Sequence, residues 1–266
     1  MAVEKARSLA REVWQHRSLV LTMAGRAIKA RYAGSVLGLA WAVLEPLLQF
    51  GLYLLVFGVF LGLRGFAGGG TAFALWLLAG LVPFLLLQEG WVRAAGVFRA
   101  QAGLVKHVPV PLSALLVSEL LAVLARHAVL VFLFMAVATV AGQAHLAGVP
   151  FLLMGLGLSL LLLVGGGLFL SVAGTYIPDV APVTSTVMSL ALYLTPILYP
   201  AHLVPPQLRR FLWVNPLFGL AETFRGFVGS VPAWPPVLAT VVLSLILALA
   251  ARSLFLRREK RLRDLV

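Results

Sequence analysis

The sequence predicts an all-α polytopic membrane protein with six transmembrane helices, an N-terminal amphipathic interface helix and two short outer helices between spans 5 and 6. Three observations carry this prediction. Mean hydropathy is +1.02 over 266 residues. Only 11% of residues are charged, where a soluble domain carries roughly 25%. Uncharged apolar runs recur that are long enough, at about 1.5 Å per residue, to cross a hydrocarbon layer of ~30 Å. The net charge of +12 gathers at the two ends beside apolar runs, which suits anionic headgroups rather than nucleic acid. The chain has no cysteine, so neither disulfides nor thiol chemistry enter. It reads as one membrane domain over 1–266: an interface helix in 1–35, spans 1–5 in 36–198, outer helices in 199–234, span 6 in 235–256 and a tail in 257–266.

Residues 3–30 read as a helix. Leu9, Val13, Val20, Met23 and Ala27 recur at helical steps, with a break near His16 and Arg17, and Lys5, Arg7, Arg11, Arg26 and Lys29 supply the polar side. A segment so charged lies in the interface rather than across the membrane. It is a long charged stretch without a short apolar core and small-residue cleavage site, so no cleavable signal peptide is expected. The junction follows: Arg31-Tyr32-Ala33-Gly34-Ser35-Val36-Leu37-Gly38-Leu39-Ala40-Trp41, running on to Glu45-Pro46. Basic and amphipathic aromatic side chains stay with the headgroups while the chain passes into lipid.

Span 1 covers 37–63, with Trp41 and Glu45 near the inner headgroups and Arg64 and Gly68-Gly69-Gly70 closing it. Span 2 covers 71–87, with Pro83 as a possible kink. Residues 88–111 hold Glu89, Arg93, Arg99 and Lys106 and read as a polar cytoplasmic loop. Its short amphipathic helix has Trp91, Ala95 and Phe98 on one side, and Pro109 and Pro111 end it. Span 3 covers 112–141 and carries Glu119, Arg126 and His127. Span 4 covers 150–176, where Gly165-Gly166-Gly167 permit close helix approach. Asp179 turns the chain between Pro178 and Pro182 into span 5, residues 183–198. Residues 199–234 are half apolar and rich in proline, with Arg209, Arg210, Glu222 and Arg225. Two short helices, near 206–213 and 217–228, fit between the prolines. Span 6 covers 236–256, and the tail is basic from Arg257.

Orientation follows from Lys and Arg. With both ends cytoplasmic, the inner segments hold sixteen and the outer segments four, a strong positive-inside bias. Both termini are expected in the cytoplasm.

The sequence offers little to an enzyme. It contains no Gly-x-x-x-x-Gly-Lys-Ser/Thr loop, no His-Glu-x-x-His and no Gly-x-Ser-x-Gly, and His16, His107, His127, His145 and His202 are scattered. Glu119 and Arg126 are the intramembrane charges. Seven residues place them on one face but about 10 Å apart along the axis, too far to pair. Either they are functional, or Glu119 sits at the inner interface and Arg126 pairs with another helix.

The order Arg31-Tyr32, Ser35, Leu37-Gly38, Trp41, Pro46 resembles the start of the first span in permeases of type-2 ABC exporters, those for O-antigen, capsule or teichoic acid. Three more stretches are similar to that family in the same order: Leu104-Val105-Lys106-His107-Val108-Pro109, Thr195-Pro196-Ile197-Leu198-Tyr199-Pro200, and Asn215-Pro216 followed by Glu222 and Arg225. The sequence departs from the family at Pro178-Asp179, where Arg-Asp is common, and at Val110, where an aromatic is usual. The resemblance implies a homodimeric permease in the bacterial cytoplasmic membrane, paired with two copies of a separate ATPase. ATP and magnesium would be bound by that partner and no cofactor by this chain, and the cargo would be a lipid-linked glycan. It implies ATPase coupling through the N-terminal helix and the loop bearing Arg93, Phe98, Arg99, Lys106 and Pro109. It places the outer gate at Pro196, Tyr199, Asn215, Pro216, Glu222 and Arg225, and the translocation path along spans 1 and 5, with Tyr193 on the latter. Phe50, Tyr53 and Phe57 would stack on sugar rings, or simply face lipid and neighbouring helices. The alternatives are a drug or lipid exporter of the same fold, a membrane transferase of lipid-linked sugars, whose clustered acids are missing here, and a secondary transporter, whose internal repeat is missing here.

Overall fold

A computed structural model describes residues 11–63, 69–108 and 110–265. Lys5, Arg7, Leu9, Arg64, Gly68 and Pro109 lie outside the described residues. Among the described residues, all regular structure is helical.

Residues 11–15 are helical, His16 forms a turn, and α1 runs Arg17–Arg31. The break falls where the apolar spacing fails. The His16 ring bonds the Glu12 carbonyl instead, and the Glu12 carboxylate accepts from Ser113 Oγ at 2.6 Å, tying this segment to the start of span 3. Val20 and Ala24 are the buried residues of α1. Helix α2, Trp41–Tyr53, contains Pro46 and passes directly into a π-helical stretch, Leu54–Phe60. Only 6% of this span is buried, against 72% for the next.

That next helix, α3, runs Gly70–Ala100 without interruption. The expectation of a span ending at 87 and a separate loop helix is therefore corrected. Pro83 lies inside α3 and does not end it. The polar residues after position 87 continue the helix because the bundle supplies partners: Trp91 Nε1 donates to the Leu162 carbonyl at 3.0 Å, and Glu89 and Arg93 are ion-paired. A charged residue argues against lipid contact at its position, but it does not end a helix whose charges meet inside the protein.

A short helix α4, Ala102–His107, leads to α5, Leu112–Val140, and α6, Val149–Tyr176, follows. Helix α7, Val180–Leu194, is shorter than the expected span 5, and 195–200 leave the helix. Two short helices follow, α8, Pro206–Leu212, and α9, Pro216–Phe227, close to their expected places in the sequence. Helix α10, Trp234–Leu265, continues through the expected tail. Ala251, Phe255 and Leu262 are buried, and their steps of four and seven carry one apolar face of the helix past the charges.

Among the described residues, five helical segments are long and apolar enough to cross a membrane: 41–60, 70–100, 112–140, 146–176 and 234–265. Helix α3 is central, packed by α5, α6, α7 and α9, while α6, α9 and α10 pack on one another. Two glycines of α6 allow this closeness. A Cβ at Gly166 would overlap the Trp91 indole, and one at Gly174 the Ala95 carbonyl. Small residues at such contacts let backbones touch.

Candidate functional site

Toward the C-terminal end of α3, α3 and α5 run antiparallel and bring four charges into register. Glu89 Oε1 accepts from Arg93 Nε, one turn on, at 2.9 Å, and from Arg126 of α5. Arg93 Nη1 in turn reaches Glu119 Oε1 at 2.5 Å. Arg31, the last residue of α1, adds a fork. Its Nη1 lies 2.9 Å from Glu89 Oε1 and its Nη2 3.2 Å from Glu45 Oε2 on α2. The His127 ring is 3.8 Å from Glu89 Oε2 and bonds the Val123 carbonyl at 3.0 Å. Three arginines thus meet three glutamates, a network with no formal excess charge. It borders a cavity of about 600 Å³, also lined by Tyr32, Gln49, Gln88 and Ser185.

Near the N-terminal half of α3, Arg225 of α9 is 1% exposed. It donates to Glu222 Oε1 at 2.9 Å, to the Pro196 and Ile197 carbonyls at 3.0 and 3.2 Å, and to the Trp76 carbonyl at 3.5 Å. Its guanidinium lies 3.6 Å from the centre of the Trp76 ring. Glu222 Oε2 also accepts from the Ala233 amide at 3.1 Å. Asn215 caps α9 by accepting from the Leu217 amide at 3.0 Å and donates to Thr195 Oγ1 at 2.8 Å, with Pro216 in the first helical turn. The Tyr199 hydroxyl donates to the Tyr193 carbonyl at 2.8 Å. These side chains pin α9 to α3 and to the end of α7. Beside them lies a second cavity of about 760 Å³, lined in part by Gln143, His202, Glu222 and Ser230.

Residues 18–228 match the ABC-2 type transporter family. The chain belongs to that family. Among its relatives, the polysialic acid transport protein KpsM of Escherichia coli is 29% identical over 205 residues, covering 75% of this chain and 77% of the relative. The O-antigen export system permease protein RfbA of Myxococcus xanthus is 25% identical over 259 residues, covering 95% and 96%. A protein of the same name from Klebsiella pneumoniae is 24% identical over 212 residues, covering 78% of each.

In this ABC-2 family chain, the residues singled out from sequence fall into distinct places. Of the junction, Arg31 and Tyr32 reach the ionic cavity, where Pro46 also lines the wall. Ser35 and Gly38 shape the turn before α2 through Gly38 N to Ser35 O at 3.3 Å, and Gly38 has φ of 50°. Trp41 opens α2. Of the coupling residues, Phe98 is buried against Phe255, with ring centres 6.3 Å apart. Arg99 donates to the Gly174 and Thr175 carbonyls, both at 2.9 Å, closing the C-terminal end of α6. Arg93 belongs to the ionic network, and Lys106 on α4 is exposed. Phe50, Tyr53 and Phe57 are half-buried on the flank of α2 facing the bundle, and Tyr193 is exposed on α7. Glu119 and Arg126 both pair with α3 rather than with each other. Sequence reasoning gave no site role to Glu45, Glu89 or His127. The signal was present as Glu89 and Arg93 one turn apart, facing Glu119 and Arg126 two turns apart, which match in an antiparallel pair.

Proposed function

We propose that this chain is the membrane permease subunit of an ATP-driven exporter that moves a lipid-linked polysaccharide across the bacterial cytoplasmic membrane. The observation that carries this reading is the similarity to export proteins named for polysialic acid and O-antigen, which reaches 95% of the chain in the Myxococcus xanthus relative.

The architecture supports it in three ways. Helix α7 rises about 22 Å at 1.5 Å per residue, and the non-helical residues 195–200 add length toward a sixth crossing. Six crossings bring both termini to the side that holds most of the basic residues. Second, α2 exposes Leu47, Leu48 and Leu52, and α7 exposes Val183, Val187, Leu190 and Tyr193. Such faces suit a second copy of the chain, with the translocation path between the copies and Phe50, Tyr53, Phe57 and Tyr193 along it. Third, α4 presents Lys106 at the inner end, backed by Phe98 and Arg99, which fix the end of α3 against α10 and α6. A short exposed helix on a rigid base can transmit a partner's movement as a lever. The partner is a separate ATPase, present in two copies, which binds ATP and magnesium. The outer gate is α8 and α9 with their pins at Pro196, Tyr199, Asn215, Pro216, Glu222 and Arg225.

The test is reconstitution of the permease with its ATPase in vesicles containing a short fluorescent lipid-linked glycan. ATP-dependent transfer of the glycan to a lectin on the far side is expected. Transfer that ignores ATP, or ATP-dependent movement of lipid lacking glycan at an equal rate, would overturn the reading.

A further inference from the structure

The ionic network differs from arginine to arginine in what happens when one lets go. Arg126, with a side chain 10% exposed, is held by Glu89 inside the bundle. Arg93 is shared between Glu89 and Glu119, whose side chains are 20% and 14% exposed. Removing either strands charge in a partly desolvated site, which is strongly unfavourable. Arg31 differs. Its side chain is 31% exposed, and one of its two carboxylates, Glu45, is 57% exposed. If Arg31 leaves Glu45, water takes its place and little is lost. If it leaves Glu89, that carboxylate still holds two guanidiniums. Arg31 is therefore the arm of the network that can exchange without orphaning a buried charge, and the cavity of about 600 Å³ beside it leaves the side chain room to move.

Its position gives that exchange a consequence. Arg31 ends α1, Glu45 lies in the first turns of α2, and Glu89 lies on α3. The guanidinium fork thus fastens three elements at the inner surface. Helix α2 packs on the bundle through half-buried Phe50 and Tyr53 toward its C-terminal end, and the fork holds its inner end. The π-helical stretch at 54–60 and the turn at 32–37 flank it at either end.

We propose that Arg31 is a positioning residue that latches the inner end of α2 against α3. Movement of α1 opens the latch by separating Arg31 from Glu45 while Arg31 stays on Glu89. The opened gap lies beside the ionic cavity at the inner surface. This rests on the transport reading above, because the ATPase partner supplies the movement of α1.

The experiment uses the complete permease–ATPase complex. The chain has no cysteine, so spin labels at Leu48→Cys on α2 and Phe132→Cys on α5, both exposed positions, report one distance in complexes with a single labelled copy. Four chains are compared: the labelled parent, Arg31→Lys, Arg31→Gln and Glu45→Gln. Lysine keeps the charge but cannot fork onto two carboxylates, so rescue by lysine separates a charge effect from a latch. In the parent, the distance should lengthen when ATP is added. In Arg31→Lys and Glu45→Gln, the population at the longer distance without ATP should rise up to about fivefold over the parent's, the most an exposed ion pair contributes, and glycan export per ATP hydrolysed should fall by a similar factor. Glu45→Gln alters a wet carboxylate, so its melting temperature should match the parent's. Parent-like distances and export in Arg31→Lys and Glu45→Gln would overturn the latch, as would a parent distance that ATP leaves unchanged during export. If the parent exports no glycan, the transport reading fails, while the ATP-free distances of the variants still decide the latch.

Discussion

Arg225 can be buried to 1% exposure because its nitrogens reach the Glu222 carboxylate and three backbone carbonyls, and its flat face meets Trp76. Removing the guanidinium leaves Glu222 and three carbonyls without that donor. Arg225→Ala should therefore cost about 3–5 kcal/mol, the usual penalty for breaking a buried pair, read as a large fall in melting temperature and in membrane yield. Arg225→Lys should restore only part of it, since one ammonium cannot reach all these acceptors. The sequence marked Arg225 and Asn215 as notable through their neighbours Glu222 and Pro216, and the structure gives them pinning contacts. Glu89 was harder to see. Its charge lowers the local hydropathy and so suggests a loop, whereas its partners Arg31 and Arg126 lie 58 and 37 residues away. Only the antiparallel pairing of α3 with α5 makes that charge compatible with a continuous helix.

Among the helices, the sharpest contrast lies at the inner end of α3. Phe98 is buried against Phe255 while Lys106 on α4 is exposed. Phe98→Ala should cost about 3–5 kcal/mol through loss of packing, visible as lower thermal stability of the isolated permease. Lys106→Glu should leave that stability unchanged and instead lower permease-stimulated ATP hydrolysis roughly tenfold, about 1.4 kcal/mol of coupling. Normal stimulation in Lys106→Glu would remove α4 from the coupling surface. The outer helices were legible from local chemistry. Asn215-Pro216 places a capping side chain before a proline that suits a first helical turn, and α9 begins there. The continuity of α3 and α10 was not legible, because their polar ends are supported by contacts distant in sequence.

For the molecule as a whole, the sequence reading of a six-span bundle meets five long apolar helices and a 15-residue α7. In the six-crossing reading proposed above, the short helix would be completed by residues 195–200, which leave the helix and carry carbonyls that Arg225 satisfies. Irregular backbone at membrane depth survives where protein supplies its partners. With six crossings, a membrane-impermeant thiol reagent on intact cells should label a cysteine at Val231, which is 90% exposed, and should miss cysteines at Trp14 and Leu265 until the membrane is opened. Labelling of Trp14→Cys and Leu265→Cys at opposite faces would instead favour an odd number of crossings. The homodimer proposed above would cover Leu47, Leu48 and Leu52, which α2 leaves exposed in one chain. The most direct measurement is isolation of the tagged permease from detergent-solubilised native membranes, with mass determination of the intact complex. Two copies of this chain with two copies of a nucleotide-binding subunit are the expected result. A stable complex of this chain alone, with no nucleotide-binding protein under any solubilising condition, would contradict the exporter reading.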